Sequence, residues 1–539
     1  MSVIGINFGT SYTSIGYLNK EGRADCLANE EGDRQIASVL AFHGNEEVVG
    51  SQAKSDIARN PKTTVANFRA EIGKSFSQSE NLPGSAAPVI EKSGQPAYEI
   101  TLPESNVTFT AGEVSAKFLR HIRESAEAFL GTAVTGAVLA VPSYFDEQQR
   151  KALIEAAEAA GINVLQLVHE SAAAVLAYET VLKNANDDKT VVVCDLGGHS
   201  FDVTALTVRS GLYSVLATAH DTKLGGSSLD DLLINHFSTE FKKKSKVDIS
   251  SNRKALAKLR GAVEVTKKML SSASSAPCFV ESLAEGLDFH STINRMRFEI
   301  MANKVFAKAL DTIRETLSKA DLDASEIDEV ILVGGSARIP KFAVKIREVF
   351  TGEHTNVLSA ELEADEVVAR GCALQASLLS AYEKEDIEAS QEPVITVAPH
   401  TQKAIGILNA KGEFVIVIAR DTPLPARRTF EFANAAAGQT HAYLALHEGD
   451  HTIEKIEIPV EPIPVEEGEE PIEEEPEIVT KVVTKPAALL VEASLPLSQG
   501  KEAKGSKIEV QVTVDADRKL SMVMREKNGS NVIKVAGKQ

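Results

Sequence analysis

No stretch of this 539-residue sequence is apolar for long enough to cross a bilayer as a helix, which sets helical membrane proteins aside. The start also lacks the basic segment and apolar run of a secretion signal. Met1-Ser2-Val3-Ile4-Gly5-Ile6 passes straight into a strand-like pattern, so a cytoplasmic protein is expected. Cysteine is scarce: Cys26, Cys194, Cys278 and Cys372 lie far apart and form no C-x-x-C pair. That argues against a zinc site and against a disulfide framework, and leaves buried small side chains. Positive charge is in deficit, with 57 Lys and Arg against 76 Asp and Glu and a net charge of -19. Such a surface repels phosphate backbones, so no direct nucleic-acid binding is expected beyond what a local basic patch supports.

What is present fits an ordinary soluble globular chain: 43% hydrophobic residues, 25% charged residues and 34 glycines. A single core does not grow to this length, so at least one domain boundary is expected. Up to about Ser380, short β-branched runs such as Val191-Val192-Val193-Cys194, Val330-Ile331-Leu332-Val333 and Ala137-Val138-Leu139-Ala140-Val141 alternate with helical patterns, the signature of α/β units with buried strands. Between them, 146–161 reads as a helix with visible ends. Asp146 and Gln149 have capping-box spacing, and Gly161 stands where a left-handed residue closes a helix.

Residues 381–396 are polar and aperiodic up to Pro393 and read as a linker. Beyond them, alternating segments at 414–418, 429–432 and 508–514, set between Gly, Pro and Asn turns, predict an antiparallel β domain over 397–539. Within it, 466–477 carries eight glutamates, two prolines and one glycine, which self-repel and bury nothing, so a disordered insert is expected over about 461–485.

Two segments look like the marks of a duplicated nucleotide-binding fold: Ile4-Gly5-Ile6-Asn7-Phe8-Gly9-Thr10-Ser11 and Val193-Cys194-Asp195-Leu196-Gly197-Gly198-His199-Ser200. In each, an apolar strand ends in an Asx residue and a Gly turn with hydroxyl residues follows, so that backbone N–H groups can face phosphate oxygens. A glycine turn is usually a matter of backbone geometry alone, but two matching turns in an α/β setting favour a phosphate clamp. A third turn, Val333-Gly334-Gly335-Ser336-Ala337-Arg338-Ile339-Pro340, follows a strand and opens a helix, where Arg338 can lie on a purine or serve as a plain surface cation. A fourth is Leu224-Gly225-Gly226-Ser227-Ser228. Glu264, Lys267 or Lys268, and Ser271 share one helix face by spacing, which an ordinary solvated charge pair would also do.

These four turns, in this order, resemble the nucleotide-binding domain of the DnaK-type heat-shock protein 70 chaperones, within the wider actin and sugar-kinase superfamily. The likeness continues through Val141-Pro142-Ser143-Tyr144-Phe145, through His169-Glu170-Ser171-Ala172-Ala173-Ala174, and into the β domain at Val510-Gln511-Val512-Thr513-Val514-Asp515-Ala516-Asp517. The resemblance implies an α/β actin-like two-lobed domain over 1–380, followed by a small antiparallel β-sandwich without the family's helical lid. It implies ATP in the cleft, with the phosphates held by Gly9, Thr10 and Ser11 and by Gly197, Gly198, His199 and Ser200, and with Tyr12, Gly225 and Gly226 also in the nucleotide-binding set. Ribose and adenine would meet Glu264, Lys267, Lys268 and Ser271, then Gly334, Gly335, Ser336, Arg338, Ile339 and Asp365. Asp195 would reach a magnesium ion through water, though whether magnesium accompanies the nucleotide stays open.

The departures from the family pattern concern catalysis. Asn7 stands where the family has an aspartate that helps hold the magnesium shell; one unit charge at 4 Å is worth about 4 kcal/mol at an effective dielectric near 20. Arg69 matches a lysine that positions the attacking water, and arginine neither gives up its proton nor acts as a point charge. Losing such a group costs roughly 10² to 10⁴ in rate. His199 replaces a third glycine, and the relay segment Glu-Pro-Thr reads Glu170-Ser171-Ala172. Asn7, Arg69, Glu170 and Asp195 therefore form a degenerate catalytic set, with hydrolysis expected to be absent or very slow.

This combination resembles the atypical Ssz-type branch of the family, which sits in the fungal ribosome-associated complex with the J-domain protein zuotin. The expectation is an ATP-binding accessory subunit, cytoplasmic and ribosome-associated, that meets nascent chains indirectly by stimulating another chaperone. The alternative is an ATP-cycling peptide-binding chaperone with a shortened substrate domain. A small-molecule kinase of the same superfamily is disfavoured by the β domain after Pro393.

Overall fold

The computed structural model describes residues 2–537 apart from 45, 81, 83, 85, 103–105, 183–187, 353–354, 359–360, 384, 388–398, 434–437, 459–476, 498–506 and 528–529. Two sheets of one topology organise the first 380 residues. In the first, strand Ser2–Phe8 is central: it pairs antiparallel with Tyr12–Leu18, which pairs with Ala24–Cys26, and parallel with Val134–Val141, which pairs with Val164–His169. In the second, Lys189–Leu196 takes the central place, with Phe201–Arg209 and then Leu212–Asp221 on the antiparallel side and Glu329–Val333 and then Asn356–Leu358 on the parallel side. The duplication suggested by the two loops is thus a duplication of whole sheets. The central strands are apolar without alternation because helices cover both faces, as the fully buried run 190–194 illustrates.

The helix at 146–161 spans Glu147–Ala159: Gln149 N donates to Asp146 Oδ1 at 2.8 Å, Asp146 N donates to Gln149 Oε1 at 3.2 Å, and Gly161 follows at φ +79°. Helices Glu170–Leu182 and Val367–Leu379 cross between the sheets and bury a shared core that takes Val138 and Ala140 from one and Val191, Val193 and Ile331 from the other. They touch backbone to backbone. A Cβ at Gly371 would lie 1.8 Å from the Ala173 carbonyl oxygen, so no side chain fits at that crossing. All four cysteines are buried and free, with Cys194 and Cys372 in the sheet and helix cores.

After a turn at 385–387, residues 388–398, which include most of the expected linker, lie outside the described residues. The second domain is a sandwich of two four-stranded antiparallel sheets. One runs Phe414–Ile418, Ala404–Leu408, His441–Ile458, Glu477–Pro496; the other runs Ala426–Ala433, Lys507–Val514, Leu520–Glu526, Val532–Ala536. In Lys507–Val514 the alternate residues Ile508, Val510, Val512 and Val514 are buried against Leu444, Leu446, Leu495, Met522 and Met524, while their neighbours face outward. Among the described residues from 399 onward there is no helix.

One expectation is corrected here. The insert over 461–485 is not irregular throughout: 461–476 lies outside the described residues, but 477–485 forms the first half of strand Glu477–Pro496, in register from Ile458↔Glu477 to His441↔Pro496. The glutamate-rich composition stops at 477, and Lys481-Val482-Val483-Thr484 is a β-forming sequence that the acidic neighbourhood masked. Thr452 Oγ1 donates to the Val483 carbonyl at 3.0 Å and Lys485 pairs with Glu454 at 2.8 Å, closing that end of the hairpin. The sandwich rests on the first domain through Arg209, which donates to the Arg420 carbonyl at 3.1 and 3.2 Å, and through Arg420, which pairs with Asp321 at 2.8 Å.

Candidate functional site

Between the lobes lies a cleft of about 1910 Å³. It is lined by every residue expected to bind nucleotide except Gly225, together with Asn7, Arg69, Glu170 and Asp195. Gly225 sits beneath the floor: a Cβ there would come within 2.7 Å of His199 N, so its role is to let the second loop lie flat.

The two hairpins enter from opposite sides at matching positions. Asn7 faces Ser14 one pair from the mouth of the first, and Asp195 faces Asp202 one pair from the mouth of the second. Their turns meet: Ser11 Oγ and His199 Nδ1 are 3.1 Å apart, and a Cβ at Gly198 would be 2.1 Å from Ser11 Oγ. A Cβ at Gly9 would collide with the Tyr12 carbonyl at 2.2 Å. Gly334, at φ +88°, leaves space for the Leu196 carbonyl, 2.4 Å from where its Cβ would be. The second loop is fastened from below. Gly226 N donates to the Gly197 carbonyl at 3.0 Å, Ser227 N to that of Gly198 at 2.7 Å, and Ser336 Oγ to that of Gly197 at 2.9 Å. The two turns are thus held in close contact, with glycines at 9, 198 and 225 where a side chain would collide.

Beside the cradle, Arg69 is buried. Its Nη2 donates to Glu170 Oε1 at 2.9 Å, its Nη1 to Thr10 Oγ1 at 3.4 Å, and its guanidinium lies 4.9 Å from the Phe145 ring centroid. Burial works against its charge, but Glu170, followed by Tyr144 and Asp202, outweighs that and holds its pKa above the ordinary arginine value. The same crowding acts on the acids. Burial first, then Glu170 and Asp202, pushes Asp195 well up, with Arg69 pulling the other way. Asp202 is pushed up to about 7 by burial first and Glu170 second, and its Oδ1 is buried without a hydrogen-bond partner. Among the described residues no group of three or more His, Cys, Asp or Glu is arranged to hold a metal ion. Position 7 offers a neutral amide to this floor, and Glu170, Asp195 and Asp202 are the oxygen donors that would face a hydrated cation there.

Toward the rim, Glu264 is the centre of a cluster that spans the lobes. Lys54 Nζ reaches its two oxygens at 2.8 and 2.7 Å, Lys268 lies at 3.2 Å, and Tyr12 OH donates to it. Burial opposes ionisation of Glu264, but Lys54 and Lys268 outweigh it and hold the carboxyl well below the usual range. Lys267 turns the other way, into its own lobe, onto Asp230 at 2.8 Å and the Gly226 carbonyl at 3.0 Å. Arg338 is engaged by Asp365 and Glu363 at the cleft edge. Ser271 and Ile339 line the wall.

Sequence reasoning missed Lys54 and Asp202. Lys54 carries no local signal, since its partner is 210 residues away. Asp202 had one: in a hairpin turning at 197–200, it is the residue that must face Asp195.

Against protein families, the chain matches the model described as Hsp70 protein over residues 3–457. The chain belongs to the Hsp70 family. Among its Hsp70 relatives, a heat shock protein 70 homolog of Schizosaccharomyces pombe is 39% identical across 98% of this chain and 94% of its own length. The ribosome-associated complex subunit SSZ1 of Saccharomyces cerevisiae is 36% identical across 99% of both chains. The heat shock 70 kDa protein of Emericella nidulans is 37% identical across 83% of this chain and 68% of its own. The first two Hsp70 relatives thus match this chain almost end to end, and the third extends well beyond the matched part.

Proposed function

We propose that this Hsp70 is a nucleotide-stabilised accessory subunit: it binds ATP between its lobes, hardly hydrolyses it, pairs with a zuotin-like J-domain protein on the cytoplasmic ribosome, and assists nascent chains by stimulating another chaperone. The observation that carries the reading is the Arg69–Glu170 pair at 2.9 Å, beside Asn7. The guanidinium is fixed by its partner and by Phe145, keeps its proton at every accessible pH, and occupies the place from which an attacking water would be directed.

The phosphates would lie on the Gly9–Ser11 and Gly197–Ser200 turns, with the cluster of Tyr12, Lys54, Glu264 and Lys268 drawing the lobes together over the ribose side. A ligand that binds only the closed form stabilises it by mass action, so ATP serves here as a structural element. The end-to-end match with the subunit SSZ1 supports the ribosomal part of the reading.

The test is a single-turnover assay on the purified chain, with and without a J-domain protein, together with sedimentation of cell extract. ATP retained unhydrolysed, and co-migration with ribosomes and a J-domain protein, are the expected results. Hydrolysis at chaperone-like rates that responds to a J-domain, from a chain that sediments alone, would favour the cycling chaperone instead.

A further inference from the structure

The deficit of positive charge is not uniform along the chain. Residues 242–260 hold eight Lys and Arg against one acid, Asp248, although the net charge of the whole is -19. The fold gathers them at one corner of the second lobe: the last turn of helix Gly226–Ser245, a short connection, and the first two turns of helix Arg253–Ser272. Three are neutralised locally, Lys242 by Asp248, Lys244 by Glu240 and Arg260 by Asp231, each at 2.6 Å. Among the described residues Lys243, Lys246, Arg253 and Lys254 have neither an ion pair nor a side-chain hydrogen bond, and all four are exposed. Lys258 Nζ donates to the Glu281 and Ser282 carbonyls at 3.2 and 2.7 Å, which ties the corner to the hairpin of Ser275–Ala284 and Leu287–Asn294. On that hairpin Cys278 and Val280 are buried, and Phe279 between them is 57% exposed, with the exposed ring of His290 facing it across the strands at 6.4 Å between centroids. We propose that this corner is a contact surface for single-stranded RNA, with the free cations taking phosphates and Phe279 taking the face of a base.

Lysines in the last turn of a helix complement its dipole, and that alone accounts for 242–244. It does not account for Arg253 and Lys254. They stand in the first turn of the next helix, where the dipole disfavours cations and no acid offsets them. Four free cations within twelve residues raise a local positive potential on an otherwise acidic molecule, and a polyanion relieves their mutual repulsion. The ring beside them selects among polyanions. An acidic peptide has carboxylates but no flat face for Phe279, and a duplex keeps its base faces inside the stack. An unpaired strand offers phosphates and base faces together, and because every base has such a face no sequence preference is expected. Glu281 and Asp288 lie nearer the tip of the hairpin and bound the surface on that side. The inference goes beyond the proposed function, which needs no direct RNA contact; only the choice of RNA as the strand rests on its cytoplasmic, ribosomal part.

The experiment is fluorescence anisotropy of a labelled oligouridine of about fifteen nucleotides titrated with the full-length protein at several salt concentrations. Binding is expected to weaken with salt at a log–log slope of about -2 or steeper, since each phosphate neutralised on a single strand contributes about -0.7. The triple change Lys243→Glu, Arg253→Glu and Lys254→Glu should weaken binding about tenfold or more and flatten the slope by about 2. Lys411→Glu, Lys519→Glu and Lys534→Glu together change the net charge equally on the β domain and should leave binding within about threefold of wild type. Phe279→Ser should weaken binding about fivefold or more at an unchanged slope, and Phe279→Tyr, which keeps the ring, should bind as wild type does. No binding at about 50 mM salt, equal loss in the two triple variants, or polyglutamate competing as well as RNA overturns the inference and leaves ATP retention and J-domain pairing standing. A chain that sediments without ribosomes yet binds oligouridine through this corner keeps the single-strand site and removes the ribosomal reading.

Discussion

The two hairpins of the cleft share a backbone and differ in charge. Asn7 and Ser14 make the first a neutral pair, and Asp195 and Asp202 make the second an acidic one. Both turns open on a glycine, Gly9 before Thr10 and Ser11 in the first and Gly197 before Gly198, His199 and Ser200 in the second, so on the proposed function main-chain amides serve the phosphates from both sides. Only the side-chain chemistry has diverged. On the proposed function, the comparison teaches that holding a nucleotide and cutting it make separable demands on this fold, the first met by amides and the second by a few ionisable groups.

Making the hairpins chemically alike is the severest way to break the comparison. Restoring charge with the double change Asn7→Asp and Arg69→Lys should raise single-turnover phosphate release by about 10²-fold, read by quench flow. Removing charge from the other side should act on stability instead. Asp202 has a folded pKa near 7, raised above its unfolded value, so the native state binds more protons between these values and loses stability as pH rises through the window. Asp202→Asn should therefore stabilise the nucleotide-free protein at pH 8 by up to about 4 kcal/mol in urea unfolding, and change little at pH 4.

A sharper comparison lies in the glycines that open the two turns. A Cβ at Gly9 meets the Tyr12 carbonyl at 2.2 Å, but one at Gly197 meets the Ser200 carbonyl at 3.4 Å. Gly9→Ala should weaken ATP binding about tenfold, and Gly197→Ala by no more than about threefold, in parallel titrations. The smallest effect belongs to the rim. Lys268, more than half exposed, can be replaced by alanine for under about 0.5 kcal/mol of stability because Lys54 continues to pair with Glu264.

Much of this arrangement is written locally in the chain. The Asp146–Gln149 capping box and Gly161 fix one helix to within two residues, and the apolar runs that end in Asn7 and Asp195 announce the strands that present the loops. The four turns carry enough chemistry to imply a nucleotide cleft. Contacts between distant segments carry no such signature. Lys54 looks like any helical lysine until the lobes bring Glu264 to it, and Lys267 and Lys268 are neighbours in sequence yet serve opposite sides of the helix. Strand Glu477–Pro496 was obscured by composition, since a run of glutamates drowns the β-branched signal that begins a few residues later. Gly225 was placed in the cleft because a glycine that admits a ligand and one that admits a neighbouring backbone read identically.

The crossing of Glu170–Leu182 and Val367–Leu379 at Gly371 and Ala173 leaves these helices no lubricating layer of side chains at their point of closest approach. Val367–Leu379 also lies against bare backbone at Gly5 and Gly16 of the first sheet, so a side chain added at any of these glycines would push apart the layers that frame the cleft.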